Sequence, residues 1–121
     1  MSFASFSLAA PARPGGVAAL LCREVGRRAA DTPAAGVARG LGRQPVFARH
    51  LAFYLAHVAC GLGLRQVARL DGVHPTSVVY AIRRIEAARE VAAFDALMER
   101  AEALVRRFLA RSFPARSAGQ W

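Results

Sequence analysis

Apolar residues in this chain recur every three or four positions, in short segments that end at Gly or Pro. That spacing places one apolar stripe on each of a series of short helices, and an Ala-rich texture suits helix throughout. Val17, Leu20, Leu21 and Val25 form the first such set, fading near Ala30. Asp31 to Pro45, rich in Gly and Pro, reads as a loop that carries Arg39 and Arg43. A second helix opens at Pro45, a good first-turn residue, and runs through Phe47, Leu51, Tyr54, Leu55 and Val58 to the Gly61-Leu62-Gly63 break. Leu64 to Leu70 is a short helix broken by Asp71-Gly72. Pro75 opens another to about Ala88, and a last one spans about Ala92 to Ala110. Its acids Asp95, Glu99 and Glu102 come early and Arg106, Arg107 and Arg111 late, as the helix dipole favours. The expected architecture is all-α with about five helices in residues 17–110, between flexible tails at 1–16 and 111–121.

Leu64 to Arg84 carries the most information. Two helices meeting through a tight turn need a small residue at their junction, a Gly in the turn, and apolar anchors on the second helix. Ala68, Gly72, and the set Val78, Ile82 and Ile85 supply them, with Val67 and Leu70 on the inner side. This is the pattern of a helix-turn-helix. On the outer side of the second helix, Thr76, Tyr80 and Arg83 form one stripe, flanked by Ser77 and Arg84. Hydroxyls and guanidinium groups so placed suit base edges and phosphates, and the helix N-terminus is expected to offer free N–H groups to a phosphate. A solvated Arg face on a stable helix is the plainer alternative.

Charge bears on the choice. The net charge is +9, the pI about 11.5, and all 17 basic residues are Arg. Exclusive use of Arg is also what a GC-rich genome produces, but a cationic surplus of this size in a small domain suits a polyanionic partner. Between Arg39 and Glu90 there are eight Arg against three acids, so the surplus lies near the two-helix motif.

Other function classes find less support. A phosphate-binding P-loop needs a Lys, and the chain has none, so no nucleotide is expected. No Ser/His/Asp or Cys/His set stands in a catalytic context, and an enzyme is not expected. His50, His57 and Cys60 come nearest to metal spacing, yet neither metal nor cofactor is expected. Cys22 and Cys60, far apart in sequence, read as buried thiols, a disulfide being the alternative. No run of about 18 apolar residues implies a membrane span, and residues 1–12 read as a tail rather than a signal peptide. A cytoplasmic, nucleoid-associated location is expected.

The segment Arg49-His-Leu-Ala-Phe-Tyr54-Leu55, followed after a break by Val67-Ala-Arg-Leu-Asp71-Gly72-Val73-His74-Pro75-Thr76-Ser77-Val78-Val-Tyr-Ala81-Ile-Arg-Arg-Ile85-Glu86, resembles the C-terminal DNA-binding domain of the bacterial replication initiator DnaA. It is closer still to small stand-alone proteins of that family, which lack the ATPase part and whose Arg-Asp-x-x-x-Phe-Asp stretch resembles Ala88 to Asp95 here. The resemblance implies a helix-turn-helix fold of the Trp-repressor and DnaA C-terminal type, with double-stranded DNA as partner. It implies that Thr76 and Ser77 read bases in the major groove and that Arg49, Arg65, Arg83 and Arg84 hold phosphates. His57 falls where the family has a basic residue on the backbone, and Arg43 or Arg39 takes the place of an Arg that enters the minor groove. The turn departs from the family: Val73 replaces an Arg, His74 replaces an Asp that accepts from a base, Pro75 replaces the next base-contacting residue, and Asp71 replaces the turn Phe. As the expected N-cap of the recognition helix, His74 would donate where the family's Asp accepts, changing the preferred base.

Sequence-specific DNA binding, regulating replication initiation or transcription, is therefore the leading expectation. A non-specific nucleoid-type binder and a helical protein-interaction module are the alternatives.

Overall fold

The computed structural model describes residues 14–117 and 119–121, and those residues are all-helical. Six helices follow in order: α1 Pro14–Ala30, α2 Pro33–Arg39, α3 Gln44–Val58, α4 Leu64–Asp71, α5 Pro75–Ala88 and α6 Ala92–Ser112. Residues 1–13, most of the expected N-terminal tail, lie outside the described residues.

The helix α3 is the centre of the fold. Leu51 to Ala56 are buried without interruption, so this stretch of the helix is covered on all sides rather than along one stripe. The helix α1 crosses it most closely, burying Ala18, Cys22, Val25 and Ala29 at helical spacing. At the crossing, a Cβ on Gly26 would stand 3.0 Å from both the Ala48 carbonyl oxygen and the Ala52 nitrogen. The approach of the two backbones requires glycine there, although a mid-helix Gly costs about 1 kcal/mol in helix propensity. Phe47 and Phe94 meet with ring centroids 5.6 Å apart, joining α3 to α6, and Leu51, Leu55, Ile85, Met98 and Leu109 are fully buried with them. Each such side chain contributes about 1.5–3 kcal/mol by leaving water.

The helix α2 corrects the expectation of an unbroken loop and of five helices. Thr32 caps it, its hydroxyl accepting from the Ala35 N–H at 3.2 Å and donating to the Ala29 carbonyl at 2.7 Å. Pro33 fits the first turn, where no N–H is needed, and Gly40 ends the helix at φ 62°. Gly36, Gly40 and Gly42 masked this short segment in the sequence, while the Thr-Pro start was its one signal.

The turn between α4 and α5 follows from Gly72. It takes the left-handed conformation (φ 67°, ψ 35°). Its N–H donates to the Arg69 carbonyl at 3.3 Å and the Val73 N–H to the Ala68 carbonyl at 2.9 Å, the bond pair of a Schellman motif. Val73 then packs on the core, and α5 sinks Val78, Ala81 and Ile85 into it.

Asp71, which stands where the family has the turn Phe, forms an ion pair with Arg23 of α1 at 2.8 Å. It ties the end of α4 to the first helix. At the other end of α5, Arg89 is only 18% exposed. It donates to Asp95 at 2.6 Å, to the Tyr54 hydroxyl at 3.0 Å and to Glu102 at 2.5 Å. Burial opposes its charge, but the bonds to Asp95, Tyr54 and Glu102 outweigh that and raise its pKa above the ordinary guanidinium value. One residue thus locks α3, α5 and α6 together.

Cys22 and Cys60 are free and buried, with sulfurs 3.4 Å apart. Their hydrogen bond, and then burial, push the Cys22 thiol well above its usual pKa. The C-terminal residues differ from the expected tail at 111–121. The helix α6 continues to Ser112, the Gly119 N–H donates to the Cys60 carbonyl at 2.8 Å, and the Phe113 and Trp121 rings meet at 5.9 Å against the core. The two half-buried aromatic rings hold this segment against the body.

Candidate nucleic-acid interface

The first half of α3 and the start of α5 enclose an open concavity of about 370 Å³, lined by Arg49, His50, Phe53, Thr76, Ser77 and Tyr80. Thr76 and Tyr80 share the solvent face of α5 because they stand four residues apart, and Ser77 turns toward α3. The Arg49 guanidinium lies 5.7 Å from the centre of the Phe53 ring, and His50 meets Tyr80 edge to face at 5.6 Å. Four of the expected residues, Arg49, Thr76, Ser77 and Tyr80, therefore come together at one place.

Arg84 borders this concavity and is held on three sides. Its guanidinium lies 5.2 Å from the Phe47 ring centre, and its Nη1 donates to His50 Nδ1 at 3.2 Å. It also rests against the α2–α3 loop in the space that a side chain at Gly42 would fill. To accept from Arg84, His50 must carry its proton on Nε2. Burial, and then the charges of Arg84 and Arg49, hold its pKa below the ordinary histidine value, which keeps the ring neutral. His50 and Phe47 were not among the expected site residues. His50 entered only as a metal-spacing candidate, and its pairing with a side chain 34 residues away has no local signal.

His74 is the N-cap of α5, with extended backbone (φ −75°, ψ 143°). Its Nδ1 accepts from the Thr76 N–H at 3.1 Å, so the neutral ring keeps its proton on Nε2 and presents a donor outward. The cap changes one expectation. The Thr76 N–H is taken by the His74 ring, the Ser77 N–H bonds the His74 carbonyl at 2.9 Å, and Pro75 has no N–H. The start of α5 does not offer a row of free donors to a phosphate.

The other expected residues divide. Arg43 is exposed at the N-cap of α3, whereas Arg39 is tied back, donating to the Gly42 carbonyl at 2.5 Å. Arg39 is the last residue of α2 and is half-buried. Arg83 is exposed on α5 and Arg65 on α4. His57 points elsewhere: its Nδ1 donates to the Leu62 carbonyl at 2.7 Å and closes the turn after α3. His50, His57 and Cys60 thus have separate partners, Arg84, Leu62 and Cys22.

Charge pairing is uneven across the molecule. Glu24 is bonded by Arg27 and Arg28, which hold its carboxyl down at about 2. Asp71 is engaged by Arg23, and Asp95 and Glu102 by Arg89. Among the described residues, the arginines at 43, 49, 65, 69, 83 and 84 form no ion pair. These cations around α3, α4 and α5 carry no intramolecular ion pair among the described residues, while half of the acids are engaged by arginines.

No helix among the described residues is long and apolar enough to cross a membrane. In comparisons with family models, curated proteins and solved structures, nothing matches this chain.

Proposed function

We propose that α4, the Gly72 turn and α5 act as a helix-turn-helix that binds double-stranded DNA, with α5 in the major groove. The observation that carries this reading is a concavity whose α5 side presents Thr76, Ser77 and Tyr80, with Arg49 in its lining and Arg84 on its His50, neither arginine in an ion pair. Arginine forks match phosphate oxygens, and small hydroxyls on an exposed helix face match base edges. Arg49, Arg65, Arg83 and Arg84 hold the backbone, Thr76, Ser77 and Tyr80 face the bases, and the outward N–H of His74 donates to a base acceptor. Arg43 reaches from the loop before α3. His57, occupied by Leu62, is left out of the contact set. The resemblance to the DnaA C-terminal domain supports the same orientation. A regulator of replication initiation or transcription follows as the role, binding rather than catalysis as the activity.

Two substitutions test the assignment on selected and random duplexes. Arg49→Ala should weaken both by a similar factor, because phosphate contacts carry no sequence information. Thr76→Ala should instead narrow the gap between them, by about 1–3 kcal/mol for a lost base contact. Identical behaviour of the two variants on both DNAs would refute the placement of α5.

A further inference from the structure

A second surface lies outside the α3–α5 concavity and shares no lining residue with it. The helices α1 and α6 flank a groove of about 250 Å³, floored by Val25, Ala29, Leu97, Ala101 and Leu104. It continues along α6 past Phe108 into a neighbouring depression that also includes Leu104. Leu97, Leu104 and Phe108 stand at i, i+7 and i+11, on a stripe of α6 that borders the buried face of Met98, Val105 and Leu109. Leu104 is 49% exposed and Phe108 46%, so, among the described residues, the stripe beyond the half-buried Leu97 is only partly covered. From Leu97 to Phe108 the stripe rises about 16 Å, three turns of helix.

Its edge is cationic. Arg100, Arg107 and Arg111 run along one side of the stripe, and Arg28 stands across the groove on α1. Arg28 is bonded to Glu24, but Arg100, Arg107 and Arg111 form no ion pair among the described residues. A second copy of this chain would bring the same arginines face to face, in a molecule that already carries +9. A phosphate backbone would meet an apolar floor that gives it no donor. An amphipathic helix with acidic flanks satisfies both features, its apolar residues filling the groove and its carboxylates meeting the edge.

We infer that the α1–α6 groove docks an acidic amphipathic helix, of about three turns, from a partner protein. The chain would then carry two separate surfaces, one cationic and polar, the other apolar with a cationic edge. This docking does not depend on DNA binding at α5.

The test is a selection of phage-displayed random peptides of about 16 residues on the full chain, long enough for four helical turns. Recovered peptides are synthesised and their affinity measured by fluorescence anisotropy. The expected peptides carry apolar residues at i, i+3 or i+4, and i+7, flanked by Asp or Glu. Phe108→Ser and the pair Arg100→Glu/Arg107→Glu should each weaken them about tenfold or more, as loss of an anchor does. Helical circular dichroism and DNA affinity should be unchanged. If Phe108→Ser does not fold, the charge reversal at two exposed positions carries the test. Failure to recover peptides, peptides without acidic enrichment, or indifference to the variants would overturn the proposal. So would a dimer in sedimentation that Phe108→Ser abolishes, binding to phosphatidylglycerol vesicles through Phe108, or loss of DNA affinity on the charge reversal.

Discussion

Arg89→Met removes the guanidinium that joins the end of α5 to α3 and α6, while keeping most of the apolar stem. In the native protein the guanidinium bonds Asp95, Tyr54 and Glu102, and Glu102 is only 11% exposed. After the substitution Glu102 keeps a single distant cation, Arg106 at 3.8 Å. Breaking a buried ion pair from one side costs about 3–5 kcal/mol, because the remaining charge stays desolvated without a partner. Partial exposure and the residual Arg106 place the expected loss at the lower end, about 3 kcal/mol. For a domain of this size that corresponds to a fall in Tm of about 10–15 °C. Thermal and urea unfolding followed by circular dichroism at 222 nm gives the value directly. Adding Glu102→Gln should return about half of the loss, since it removes the stranded charge. A single-variant cost below about 1 kcal/mol, or losses in the double variant that simply add, would refute the role assigned to Arg89.

Two further outcomes are expected. His50 has a pKa lowered on folding, so the unfolded chain binds its proton more readily than the folded one. Stability should therefore be full above the unfolded histidine pKa and fall as pH drops below it, from about 6.5 downward, and His50→Gln should flatten that slope in urea titrations. His74→Asp keeps an acceptor for the Thr76 N–H, so stability should hold within about 0.5 kcal/mol. It also turns an outward donor into an acceptor, and a selection from random duplexes should return a different base at one position.

Local chemistry made most of the fold legible. The Gly72 turn, the Pro75 start of α5 and the buried faces of α3 and α5 follow from residue types at short spacing. What escaped were features closed by distant partners or by competing local signals. Gly36 and Gly40 hid α2, although Thr32-Pro33 is a proper helix start. Asp71 made no sense within its own motif because its partner is Arg23, 48 residues earlier. Trp121 read as tail because nothing near it shows that it packs on Phe113. At the site, Thr76, Ser77 and Tyr80 could be chosen from helical spacing and Arg49 from the resemblance to the DnaA domain, and the structure brings these four together across α3 and α5. Three contacts have no signal in the sequence: His57 bonds Leu62, Arg39 folds back onto Gly42, and the His74 ring takes the Thr76 N–H at the start of α5.

The most direct test of DNA recognition is affinity for a selected duplex and a random duplex of equal length, measured by anisotropy across a salt series. With four to six phosphates engaged by arginines, log affinity should fall against log salt with a slope of about −4 to −5 on both DNAs. The selected duplex should bind at least about a thousandfold more tightly at physiological salt. A flat salt response, or equal affinity for the two duplexes, would contradict a sequence-reading helix framed by phosphate-binding arginines.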